Sequence, residues 1–99
     1  MNYADILIPD QRLVILRALE QDLGYSHNES ILQDILGVYG HKLTRDQVRT
    51  LICWLKEQGL LSYEVLASGT YIATITDRGA EVATGRATVP GVKRPRPKD

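Results

Sequence analysis

The stretch from Leu43 to Leu60 constrains this chain more than any other, because it holds a start, a stripe and a stop for one helix. Thr44 and Gln47 have capping-box spacing, each side chain able to satisfy a backbone N–H of the first turn, and Leu43 can staple onto Val48. Val48, Leu51, Ile52 and Leu55 follow at spacings of three, one and three, which places them on one buried stripe. Gly59 supplies the left-handed residue that ends the helix after about four turns. The side opposite the stripe carries Asp46, Arg49, Thr50, Cys53 and Glu57, with Arg45 and Lys56 on one flank and Trp54 on the other.

Two amphipathic segments precede this helix. Pro9 suits a first helical turn, and Leu13, Leu16, Leu19 and Leu23 with Val14 and Ala18 predict a helix over Pro9–Asp22, leaving residues 1–8 as a segment outside the domain. Ser26 and Glu29 repeat the capping-box pattern, so a second helix is expected through Ile31, Leu32, Ile35, Leu36 and Tyr39 to Gly40. Only His41, Lys42 and Leu43 then separate it from Thr44, the connection length of a helix-turn-helix.

Two strands follow. Leu61, Tyr63 and Val65 alternate with Ser62 and Glu64, and Tyr71, Ala73 and Ile75 alternate with Thr70, Ile72 and Thr74. A three-residue loop Ala67-Ser68-Gly69, with Gly69 left-handed, sets Val65 opposite Tyr71, Tyr63 opposite Ala73 and Leu61 opposite Ile75. Thr76 or Asp77 caps a short fourth helix that Gly85 ends. Beyond it, residues 86–99 hold three prolines and no periodicity, and read as an extended, mobile tail. The order is that of an α+β winged helix-turn-helix over residues 9–85: three helices, a two-stranded hairpin wing, a short fourth helix and a basic tail.

Composition excludes several classes. Ninety-nine residues make one domain, and no apolar run approaches the roughly 18 residues needed to span a bilayer. The first ten residues have no basic stretch of the signal-peptide kind, and a single cysteine agrees with a reducing compartment, so the expected location is the cytoplasm. The formal net charge is zero, but it is segregated: residues 1–85 hold seven basic and eleven acidic side chains, residues 86–99 five and one. A nucleic-acid module ordinarily shows its basic footprint on the body; here it lies on the central helix and the tail.

Trp54-Leu55-Lys56-Glu57-Gln58-Gly59-Leu60-Leu61, then the strand pair, then Ile75-Thr76-Asp77-Arg78-Gly79, resembles the "W-L-x-x-x-G-L … L-T-x-x-G" skeleton of bacterial winged-helix regulators of the ArsR and MarR kind. With the Gly-Val-x-Arg-Pro-x-Pro ending at Gly91 to Pro97, the chain looks like a family of small winged-helix proteins of Mu-like phages and prophages. The resemblance implies a winged helix-turn-helix and a phage or prophage transcriptional regulator. It departs from the metal-sensing ArsR pattern in having Cys53 alone.

Thr44, Arg45, Gln47, Arg49, Thr50 and Lys56 are the residue types a recognition helix needs: Arg reads guanine in the major groove, and Lys, Thr and the helix N-terminus hold phosphates. The wing offers only Ser68 and neighbouring N–H groups for phosphate. Lys93, Arg94, Arg96 and Lys98 read either as an arm along a phosphate backbone or as a solubilising end. Trp54 is expected to pack under the wing. His27, His41 and Cys53 match no metal-ligand spacing, no cofactor is expected, and no nucleophile with a base, acid pair or phosphate loop suggests an enzyme. The expected partner is double-stranded DNA. A protein-binding adaptor is the alternative, better matched to the acidic body, and helices one and four leave a homodimer open.

Overall fold

The computed structural model describes residues 2–97. They form four helices and one antiparallel sheet, in the order α1 (Tyr3–Gln21), β1 (Ser26–Asn28), α2 (Glu29–Val38), α3 (Arg45–Glu57), β2 (Leu61–Val65), β3 (Tyr71–Ile75) and α4 (Asp77–Thr84). No helix among the described residues is long and apolar enough to cross a membrane.

α3 is built as its sequence dictates. Thr44 Oγ1 accepts the Gln47 N–H at 3.2 Å, Gln47 Oε1 accepts the Thr44 N–H at 2.9 Å, and Gly59 takes a φ of 75°. Val48, Leu51, Ile52 and Leu55 are buried and join Ile15, Leu16, Leu19, Leu32, Leu36, Leu60 and Leu61 in one core. The hairpin has the expected register, Leu61 opposite Ile75, Tyr63 opposite Ala73 and Val65 opposite Tyr71, with Gly69 at φ 87°.

Three expectations are corrected. Residues 3–8 belong to α1, because Asn2 and Asp5 form a capping box: the Asn2 side chain accepts the Asp5 N–H at 3.1 Å and Asp5 returns the bond at 3.2 Å. Pro9 therefore lies inside the helix. Ser26 does not cap α2; Asn28 does, accepting the Ile31 N–H at 2.9 Å. Ser26–Asn28 instead pair with Ile72–Thr74, so the sheet has three strands, ordered β1-β3-β2. A three-residue strand has too little periodicity to stand out in sequence.

The third correction concerns the tail. Val89 is buried in the core, Lys93 N–H donates to Pro9 O at 3.1 Å, and Arg12 Nη1 donates to Gly91 O at 3.0 Å, so residues 89–93 form a strap across α1. The Trp54 indole lies against this strap, with the Arg12 guanidinium 3.6 Å from its ring centroid. Gly91 is required there: at φ 96° an added Cβ would lie 2.9 Å from the indole. Lys98, a candidate basic residue, lies outside the described residues.

Candidate functional site

The junction of α2, α3 and the hairpin is organised by Glu29. It is the first residue of α2 and has no exposed surface. Its carboxylate accepts Arg49 Nε at 2.7 Å and Arg49 Nη2 at 3.3 Å, lies 3.6 Å from Arg45 Nη1, and accepts the backbone N–H of Tyr71. Arg49 also donates to Gly69 O at 3.2 Å, and its guanidinium lies 4.7 Å from the Tyr71 ring centroid. Tyr71 in turn stacks on Tyr63 at 5.0 Å.

A buried carboxylate persists only when its charge is answered. Burial pushes the Glu29 carboxyl up, but the hydrogen bonds from Arg49 and Tyr71 N–H, with the charges of Arg49 and Arg45, outweigh it and hold the group below its usual range. The same contact, first through its hydrogen bond, pushes the Arg49 guanidinium further up. Arg49 is thus a tie between helix and hairpin, engaged on the protein side.

The connection between α2 and α3 is clamped as well. Gln33 Nε2 donates to Leu43 O at 2.9 Å, His41 N–H donates to Leu36 O at 2.9 Å, and Gly40 takes a φ of 87°. Beyond that turn Thr44, Arg45, Gln47 and Thr50 are exposed along the first two turns of α3. Thr44 and Gln47 are committed to the cap, Thr50 Oγ1 donates back to Asp46 O at 3.0 Å, and Arg45 Nε donates to Gln33 Oε1 at 3.0 Å. Lys56 is exposed in the last turn. Ser68 hydrogen-bonds Thr70 at 3.0 Å across the hairpin loop.

The basic residues of the strap lie elsewhere. Lys93 Nζ pairs with Asp10 at 3.3 Å, while Arg94 and Arg96 border a cleft of about 470 Å³ with Arg17, Glu20 and the end of α4. Asp10 also accepts His41 Nε2 at 2.7 Å, and Gln11 lies 3.4 Å from the other ring nitrogen. His27 faces Asp22 at 3.5 Å, and Cys53 Sγ lies 3.8 Å from the Tyr63 hydroxyl, so the two histidines and the cysteine each have a different partner.

Two residues escaped the sequence reading. Glu29 looked like the second half of a capping box with Ser26; only the approach of β3 and α3 shows its role. Arg12 lies between Trp54 and the strap, where burial pulls its guanidinium below the ordinary value and leaves Nε without a hydrogen-bond partner. Nothing local in the sequence signals a contact spanning the distance from residue 12 to residue 91.

No family model and no solved structure matches the chain. Over 94 residues it is 57% identical to gp26 of Escherichia phage Mu, described as an uncharacterized protein, covering 95% of this chain and 96% of that one. An uncharacterized protein of Haemophilus influenzae is 48% identical over 84 residues, covering 85% of this chain and 81% of that one. Similarity of this extent over nearly the whole of both chains makes the protein a member of the phage Mu gp26 family.

Proposed function

We propose that this protein is a winged-helix module that binds double-stranded DNA with the first two turns of α3, as a regulator in Mu-like phages and prophages. The observation that carries the reading is the pre-set presentation of α3. A capped helix start with Arg45, Gln47 and Thr50 exposed is held at a fixed angle by Gln33 on one side and by the Glu29–Arg49 tie on the other. Such a start can enter a major groove with its donors toward base edges and its N-terminus toward phosphate.

The base-reading role falls to Arg45, which exchanges Gln33 and its outer pairing with Glu29 for a base edge, while Arg49, closer to Glu29, sets the angle between α3 and the hairpin. Thr44 and Gln47 contribute through the helix start they cap. Thr50, Lys56 and the hydroxyls of Ser68 and Thr70 are suited to phosphate. Lys93, Arg94 and Arg96 sit against α1 and α4, so any contact they make is to a different part of a duplex.

The adaptor reading retains one specific support. Val65 and Leu66 are exposed beside a hairpin loop that carries no Arg or Lys, a tip better suited to a protein surface than to a minor groove. Titration of labelled mixed-sequence duplex DNA at low and moderate salt separates the two. Binding that weakens with salt and is lost in Arg45→Ala supports the DNA reading. Absence of binding at about 50 mM salt, where phosphate contacts are strongest, overturns it in favour of the adaptor.

A further inference from the structure

The first two turns of α1 form an arm with little of its own chain beneath it. Tyr3, Ile6 and Leu7, at i, i+3 and i+4, are 83%, 56% and 41% exposed, and in this stretch only Ile8 packs on the core. Pro9 lacks the N–H that would have bonded the Asp5 carbonyl. So short a helical piece is marginal in water by itself, yet the Asn2–Asp5 capping box commits it to helix.

Beside the arm runs a groove of about 520 Å³ between α1 and α2, walled by Leu13, Val14, Ala18, Ile35 and Tyr39 and edged by Arg17. α2 runs antiparallel to α1, since His27 meets Asp22 at one end and His41 meets Asp10 at the other. On α1, Tyr3, Leu7, Asp10, Val14, Arg17 and Gln21 recur at alternating spacings of four and three, a single seam facing the groove side.

We infer that this groove receives the α1 arm of a second copy of this chain, two copies exchanging arms across a two-fold axis. Laid antiparallel, the partner's Leu7 meets Val14 and the partner's Tyr3 reaches Ala18 and Gln21. The Arg17 guanidinium, which makes no hydrogen bond or ion pair among the described residues, then lies beside the partner's Tyr3 ring. The axis passes near Asp10, whose charge is already answered by His41 and Lys93, so the pairing brings no unpaired charge together.

The area agrees. Tyr3 and Tyr39 are mostly exposed, and aromatic side chains bury roughly 150–250 Å² each. With the exposed parts of Ile6 and Leu7 and the walls of the groove they supply a large share of the roughly 800 Å² per partner of a standard interface. The pairing is independent of whether α3 binds DNA.

The test combines sedimentation velocity with a designed cross-link. The intact protein is expected to be dimeric at roughly 100 µM, and Leu7→Arg to weaken the dimer at least about tenfold while far-ultraviolet circular dichroism stays unchanged. A Tyr3→Cys, Gln21→Cys variant in a Cys53→Ser background is expected to give a covalent dimer on mild oxidation. The two cysteines stand about 27 Å apart on one helix and cannot bond within a chain. A protein that stays monomeric at that concentration overturns the proposal and leaves the groove to a different protein. A dimer that Leu7→Arg leaves intact and the cysteine pair fails to trap overturns it equally, by placing the interface elsewhere.

Discussion

Glu29 gathers two guanidinium groups and a backbone N–H around one buried carboxylate. Glu29→Ala strands the Tyr71 N–H and frees two guanidinium groups, and a loss of about 3 kcal/mol is expected by urea denaturation, typical of a broken buried pair. Arg49→Ala should loosen the hairpin's hold on α3, visible as faster amide exchange in β3. The carboxyls of Glu29 and Asp10 are both held below their ordinary values: burial raises each, and hydrogen bonds and charges from Arg49, or from His41 and Lys93, outweigh it. The folded state therefore binds these protons less readily than the unfolded chain. Their contribution is fully present above the unfolded carboxyl values and is lost as pH falls below about 4 through the depressed ones. Urea midpoints across pH 3–6 check this, and Glu29→Gln should flatten the slope more than Asp10→Asn, because Asp10 is a third exposed and screened. Gly79 is equally intolerant for a steric reason: an added Cβ would lie 1.9 Å from Leu60 O. Gly79→Ala is expected to cost about 3 kcal/mol or more, as backbone must move to admit it.

At the scale of elements, α3 and the hairpin were legible because each carries its own punctuation. Capping box, apolar stripe and left-handed glycine agree with one another in α3, and Gly69 with the alternating side chains fixes a register that a one-residue slip would ruin. Leu51→Ala and Leu55→Ala should each destabilise by about 2–5 kcal/mol, while Thr50→Ala on the exposed face should stay within about 0.5 kcal/mol. A costly Thr50 would show the helix turned the other way. What was not legible is what neighbours impose. β1 exists because β3 has a free edge for Ser26–Asn28 to pair with. The arm of α1 was missed because Pro9 invited a helix start and hid the Asn2–Asp5 box. Residues 89–93 looked like a loose end because only Val89 and Val92 are large and apolar, and what holds them is backbone to Pro9, Arg12 to Gly91 and Lys93 to Asp10.

At the scale of the molecule, charge segregation and the strap must be separated by experiment. Deleting residues 87–99 removes Val89 from the core and uncovers Trp54, so lost DNA binding in that variant would report lost stability as well as lost charge. Arg94→Ala is the cleaner probe, being exposed. If this side touches phosphate, it should lower affinity for all sequences alike and reduce the slope of log affinity against log salt by about 0.9. Arg45→Ala should instead lower affinity for a preferred site and relax its specificity.

The strap also sets an order of events during synthesis. Its bonds to Pro9, Asp10 and Arg12 join positions about eighty residues apart, Lys93 and Asp10 being separated by 83. Closing so long a loop is entropically costly, and hairpin and helix pairs of shorter reach can form before it. A chain released before residue 89 carries every residue of the four helices and the sheet but leaves the indole of Trp54 and one side of α1 open to whatever else is sticky nearby. Val89→Ala should accordingly speed unfolding and leave the folding rate almost unchanged in stopped-flow measurements, since a contact made last is absent from the transition state.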